Sequence, residues 1–319
     1  MATEIENFLR DFLEYLEIEK GAAQRTIENY GPYLLRYFEV AKIKAIKDIT
    51  PDSVREFRIW QNREPLRRQK NKDVVATISR ATQNYHMIAL RVFLKYLAKR
   101  GIKAMSSDQI ELARVPHRSL DLITPVELER LLKAPDGKDL KSLRDKAILE
   151  LLFSTGMRVS ELCSLHRDIG ANTEELSIRG KGGKIRVVFI SENARAALKK
   201  YLGARKDMEE GLFVKIEEVK KDQKEKGNSK KYTGKEFGSL DRRSVERIVK
   251  YYAIKAGIGK KVTPHVIRNC FATDLLQNGA DIRSVQALLG HSSIITTQIY
   301  THVTDKHLHE VHKKFHSKK

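Results

Sequence analysis

Cysteine is nearly missing from this chain: there are two in 319 residues, Cys163 in ELCSL and Cys270 in RNCFA. They form no CxxC and no zinc spacing, so neither a disulfide framework nor a cysteine metal site can be built from them. Two small buried thiols suit a reducing cytoplasm, and a cytoplasmic location is the expectation. Long apolar runs are also missing. AILELLF at Ala147–Phe153 is too short and too polar to span a bilayer, so no membrane association is expected. The start, MATEIENFL, has no basic segment followed by an apolar one, and no secretory leader is expected. No internal repeat is visible. The glycine turn GKGGK at Gly180–Lys184 lacks the GxxxxGK[ST] spacing and runs into a strand, which argues against a nucleotide P-loop. The clustered carboxylates of a two-metal nuclease do not occur in the stretch Thr263–Val303, where other chemistry gathers.

Positive charge is what the chain has in excess. With 61 Lys and Arg against 41 Asp and Glu the net charge is +20, which favours a polyanionic partner. The basic residues are interleaved with acidic ones along amphipathic helices, as on a folded DNA-binding surface rather than a basic tail. A hydrophobic content of 41% is enough for packed cores, and 319 residues exceed what one core usually organises. Two domains are therefore expected.

Residues 1–103 read as a small helical bundle. Apolar positions recur near the 3.6 period in Glu4–Glu19 and Thr26–Val40, a third helix starts at Thr50-Pro51, and a long fourth is expected over Val74–Lys99. Its polar face carries Arg80, Arg91, Lys95 and Lys99, of which the first three are candidate DNA contacts. Residues 104–121, weakly periodic and containing Pro116, read as a linker. Thr124-Pro125 then opens a second domain, 122–319, with an N-cap and a proline at the first turn. Glu174–Arg179 and Ile185–Ile190 flank GKGGK as a hairpin. Residues 215–236 have almost no apolar side chains and read as a basic, flexible loop. Helices resume at Asp241–Ala256. The fold class is mainly α with a small β-hairpin.

The stretch Thr263–Val303, TPHVIRNCFATDLLQNGADIRSVQALLGHSSIITTQIYTHV, sets a row of cations before a phenol. His265 and Arg268 are three apart in a helix capped by Thr263-Pro264 and so share a face. Asp281 caps the next helix, Gly290 ends it, and His291 stands at that turn. Ser292 is expected to cap the short segment carrying Tyr300. Upstream, TGMRVSEL puts Arg158 after a glycine turn at a helix start, with Glu161 one turn later. Two guanidiniums match the non-bridging oxygens of a phosphorane bidentately. A tyrosine with a pKa of about 10 is a poor nucleophile near neutrality unless cations or a base assist it. Histidines can supply the hydrogen bonds and the proton transfer. Each residue alone would be a surface arginine, a helix N-terminal histidine or a half-buried aromatic. In this order they suit attack of a tyrosine oxygen on a phosphate.

In these four elements, TGMRVSELCSL, the GKGGK hairpin, TPHVIRNCFATDLL and LGHSSIITTQIYTHV, the chain resembles the tyrosine recombinase (phage integrase-like) family, most closely its Xer-type members. The resemblance implies a helical, SAM-like core-binding domain and an α+β catalytic domain forming a clamp around duplex DNA. It implies that Tyr300 attacks the scissile phosphate to leave a 3′-phosphotyrosyl bond. Arg158 and Arg268 would hold the phosphate, His265 and His291 would complete the pocket, and Lys181 would be the general acid, with Lys184 the fallback and a candidate DNA contact. Glu161 would support Arg158. Neither metal nor ATP would be needed. Partners would be a double-stranded recombination site, a homotetramer or a heterotetramer with a related recombinase on two DNA sites, and an activating protein. The tail 304–319, with His307, His309, His312 and His316, would pack on a neighbouring protomer rather than bind metal. Asn269 and Asp274 depart from the family, which commonly has histidine at both places; changed hydrogen bonding with retained activity is expected. Chromosome-dimer resolution is the host role expected. Alternatives are the integrase or transposase of a mobile element, a type IB topoisomerase-like enzyme, and a DNA-binding protein with a decayed site.

Overall fold

The computed structural model describes residues 3–63, 77–115, 122–169, 173–180, 183–225, 228–291 and 293–300; within them, only the backbone is described for 217–237 and Ile295. The chain divides into two compact units, Met1–Arg118 and Ser119–Lys319.

Among the described residues the first unit has four α-helices around one apolar core. In α1 (Glu4–Ile18) the Glu6 carboxylate accepts from the Thr3 backbone N–H at 2.7 Å, satisfying a donor that a helix start leaves open. Ile5, Leu9, Phe12 and Leu16 recur at three- and four-residue steps, so one stripe of the helix is buried. It faces Leu34, Tyr37 and Phe38 of α2 (Gln24–Val40), Val54 and Phe57 of α3 (Pro51–Arg63), and Leu90, Phe93 and Leu97 of α4 (Arg80–Lys99). Phe12 and Phe93 meet edge to face, 5.3 Å between centroids, a favoured aromatic geometry. The fourth helix begins later than its periodicity suggests. Ser79 takes an extended backbone and its Oγ accepts from the Thr82 N–H at 3.2 Å, which fixes the start at Arg80 rather than Val74. Ile110, inside the stretch read as a linker, is buried in this core.

The second unit is built around α6 (Leu140–Thr155), whose Ala147, Ile148, Leu149, Leu151 and Leu152 are all fully buried. A helix with consecutive residues buried over nearly two turns must be central. α5 (Pro125–Lys133), α8 (Glu192–Ala204), α9 (Arg242–Lys255) and α10 (Pro264–Gln277) pack around it. Asp139 caps its start, and Gly156, with φ +57°, ends it in the left-handed conformation that favours glycine. The turn leads into the short α7 (Val159–Cys163).

The expected hairpin is β1 (Glu175–Arg179) paired antiparallel with β2 (Ile185–Phe189), with Ile178 opposite Arg186. Where a loop was expected over 215–236, the backbone forms a second antiparallel pair, β3 (Val214–Glu225) and β4 (Asn228–Ser239). The lack of apolar side chains there bears on burial. Strand pairing uses backbone donors and acceptors, which every residue other than proline has.

Thr263 caps α10, accepting from the Val266 N–H at 3.3 Å, and Asp281 caps α11 (Ile282–Leu289). α12 is one turn, Ile295–Gln298, with Ile294 at its cap position. Ser292, expected as the cap, lies outside the described residues. Tyr300 follows the turn instead of lying within the helix. It joins Ala272, Leu276, Val285 and Leu289 in a small apolar cluster. Among the described residues no helix is long and apolar enough to cross a membrane.

Candidate active site

Helix α11 ends with three carbonyls that have no intrahelical partner, and each accepts from a different arginine. Arg186 Nε donates to Leu288 O at 3.0 Å, Arg268 Nη2 to Leu289 O at 2.7 Å, and Arg158 Nη2 to Gly290 O at 3.3 Å. The negative end of the helix dipole thus collects three cations that would otherwise repel each other. Gly290 makes the arrangement possible in two ways. Its φ of +64° turns the chain, and a Cβ there would stand 2.9 Å from Arg186 Cδ.

Glu161 holds the arginines from the other side. Its Oε2 accepts from the Arg158 backbone N–H at 2.7 Å and from Arg186 Nη2 at 2.7 Å. Its Oε1 accepts from Arg158 Nη1 at 3.0 Å and Arg186 Nη1 at 2.9 Å. Burial alone would raise this carboxyl's pKa, but the hydrogen bonds and charges of Arg186 and Arg158 bring it down to about 2. Arg158 keeps a third of its side chain open to solvent (34%), whereas Arg268 is 3% exposed. Arg268 is fixed at a further point, Nη1 donating to Gly156 O at 2.6 Å. Burial, then Arg158 and Arg186, lowers its pKa to about 10, so it stays a cation at neutral pH.

His291 is locked in one neutral tautomer. Arg268 Nη2 lies 3.0 Å from its Nε2, and a guanidinium can only donate, so Nε2 accepts. The ring proton is then on Nδ1, which donates to Thr297 Oγ1 at 3.0 Å. A second proton would point at Arg268. Burial first, then Arg268 and Arg158, depresses the pKa to about 4. His265, exposed on α10, is also lowered, first by desolvation and then by Arg268 and Arg158. Both imidazoles are neutral near pH 7.

Tyr300 is 1% exposed, with its ring stacked on His291 and its hydroxyl donating to Asn269 Oδ1 at 2.9 Å. Burial raises its pKa, and the charges of Arg268 and Arg158 oppose that rise. The two cysteines are inert, each thiol pushed up to about 11, foremost by burial.

The structure therefore pairs Arg158 with Glu161 and Arg268 with His291, gathers both arginines at the end of α11, sets Tyr300 against His291, and places His265 within electrostatic reach of both arginines. Lys184 is exposed at the hairpin turn, where its carbonyl accepts from the Gly180 N–H at 2.7 Å. Lys181 lies outside the described residues, as does the tail 304–319 with its four histidines. Arg80 and Lys95 are exposed and Arg91 half-buried on α4 of the first unit. Asp274 is exposed and bonded to Asn278, whereas Asn269 touches the phenol. Among the described residues no three His, Cys, Asp or Glu side chains group as a metal site. Sequence reasoning missed Arg186 and Thr297. The signal for Arg186 was an arginine on the same strand face as the buried Val188.

A model of the phage integrase family matches residues 121–307, more than half of the chain. The chain belongs to this family. The family's N-terminal SAM-like domain matches residues 9–101. The integrase-family chain is 34% identical to tyrosine recombinase XerC of Thermodesulfovibrio yellowstonii over 316 residues, 98% of this chain and 97% of the relative. It is 34% identical to tyrosine recombinase XerD of Halalkalibacterium halodurans over 320 residues, 98% of each chain. Among solved structures, XerH site-specific recombinase bound to palindromic difH substrate in a post-cleavage complex matches with a TM-score of 0.66 at 22% identity, covering 98% of this chain and 89% of that one. The mostly helical, two-part fold of the integrase family is thereby shown, and the chain is a tyrosine recombinase by family.

Proposed function

We propose that this tyrosine recombinase cleaves and rejoins a specific duplex DNA site through Tyr300, in the Xer role of resolving chromosome dimers in the cytoplasm. The observation that carries the proposal is the convergence of Arg158 and Arg268 on the end of α11, beside a buried tyrosine. The two guanidiniums take the non-bridging oxygens of the scissile phosphate. The phenol leaves Asn269, gives up its proton, and its oxygen bonds to phosphorus. The bond from phosphorus to the 5′-oxygen breaks, and Lys181 or Lys184 protonates the leaving oxygen. His291 Nε2 is occupied by Arg268, so neutral His265 is the group free to accept the tyrosine proton. The phosphotyrosyl ester conserves the bond for rejoining, so no ATP is required, and the arginines do the electrostatic work that a metal would do.

Four protomers on two DNA sites would exchange strands through a Holliday junction, with the 304–319 tail joining neighbours. The solved relative XerH bound to DNA supports the choice of a duplex partner. The test uses nicked duplexes carrying the site recovered by sequencing DNA trapped on the protein. Wild type should form a covalent adduct that survives denaturation. Tyr300→Phe should bind with unchanged mobility shift and form none. An adduct that persists in Tyr300→Phe refutes the nucleophile, and relaxation of supercoils by a monomer without synapsis would favour a topoisomerase.

A further inference from the structure

Arg186 has no part in the chemistry just described, yet it makes three side-chain hydrogen bonds, as many as Arg268 and one more than Arg158. It lies on β2, on the face of the strand that also carries buried Val188, and its side chain is 10% exposed. A cation on an inward strand face is costly to bury unless fully paired, and an aliphatic residue could fill the same space. Here each of the three nitrogens is paired: Nη1 and Nη2 form a two-pronged contact with Glu161 at 2.9 and 2.7 Å, and Nε donates to Leu288 O at 3.0 Å.

These bonds reach the parts that place Arg158. Glu161 Oε1 accepts from Arg186 and from Arg158 Nη1, so one carboxylate oxygen fixes both guanidiniums. Gly290, whose carbonyl takes the other end of Arg158, packs against Arg186 so closely that a Cβ would meet its Cδ at 2.9 Å. Removing Arg186 would leave Glu161 with a single guanidinium and take one of three arginines from the end of α11. We propose that Arg186 is a positioning residue for the phosphate clamp, setting where Arg158 stands by holding both Glu161 and the end of α11. The inference rests on the function proposed above.

The test is single-turnover cleavage of the nicked duplex at saturating protein, alongside DNA affinity and thermal midpoint, for wild type, Arg186→Ala and Arg186→Lys. Misplacing a reacting group by about 1 Å costs on the order of 10²-fold, so Arg186→Ala should slow cleavage by about that factor with Kd changed by less than about threefold. Arg186→Lys keeps the charge and loses the fork, and an intermediate loss of about tenfold is expected. A substrate with sulfur at the 5′-bridging position separates the routes, because a thiolate leaves without a proton. The clamp role predicts that the defect persists with sulfur. Rescue by sulfur would overturn the proposal and point to the leaving-group proton. Cleavage within about twofold of wild type would also overturn it, leaving Arg186 a packing residue. Should Arg186→Ala not fold, Arg186→Lys carries the comparison: rate falling ahead of affinity supports the role, and both falling together contradicts it. If wild type itself forms no adduct, it is the proposed function that fails.

Discussion

His291 shows how one side chain couples charge to stability. Its pKa is about 4 in the folded state, below the roughly 6.5 of an unfolded histidine, so between those values the unfolded chain binds the extra proton. Stability contributed by neutral His291 is therefore full above about pH 6.5 and is lost as pH falls towards 4. Glu161, at about 2, adds a separate loss below about 4.5, the unfolded glutamate value. The thermal midpoint of wild type should decline from pH 7 to pH 5, and His291→Gln should flatten that decline while leaving the more acid limb. An unchanged slope in His291→Gln would show that other groups take up the proton. The sequence marked His291, Arg268 and Arg158 by their order and residue types. It could not show Asn269 as the acceptor for the phenol, because that contact joins residues 31 apart through tertiary packing.

At the scale of elements, the site depends on two turns. Gly156 ends α6 with φ +57°, a Cβ there would lie 2.2 Å from Phe271 Cδ1, and its carbonyl anchors Arg268. Gly156→Ala combines backbone strain with overpacking, and a loss of about 2 kcal/mol or more is expected from chemical denaturation. Gly203, exposed near the end of α8 with open space at its Cβ, is the contrast: Gly203→Ala should be neutral or stabilising by up to about 1 kcal/mol. Equal effects at the two positions would show that the turn at Gly156 is not strained by a side chain. Helices whose caps stand out in the sequence, at Pro125, Pro264 and Ile282, start where expected, whereas α4, whose cap Ser79 was not read, starts six residues later than its periodicity suggests. The ribbon β3–β4 was not, since its pairing is made by backbone groups and leaves no alternating apolar pattern to read.

For the whole molecule the governing quantity is the net charge of +20. On α4, Arg80, Arg91 and Lys95 fall within about 60° of arc at 100° per residue, forming one basic stripe on the SAM-like unit. If they contact phosphates, each contact releases counterions and contributes about 0.9 to the slope of log affinity against log salt. Replacing all three by alanine should lower that slope by up to about 3 and leave the single-turnover cleavage rate at saturating protein unchanged. A slope equal to that of wild type would remove the stripe from the DNA contact surface. The two-part organisation was readable because each part carries its own apolar periodicity. The three-arginine socket was not, since it assembles α7, β2, α10 and α11 from positions up to 132 residues apart.

Under the proposed function Tyr300, set beside arginines gathered at the end of α11, becomes joined to DNA. The most direct test is peptide mapping of the trapped complex: protease and nuclease digestion, then mass spectrometry of the peptide that retains a nucleotide. A single modified peptide is expected, containing the stretch GHSSIITTQIY, with a 3′-phosphate linked to Tyr300. A nucleotide on any other residue, or a 5′-phosphate linkage, would contradict it.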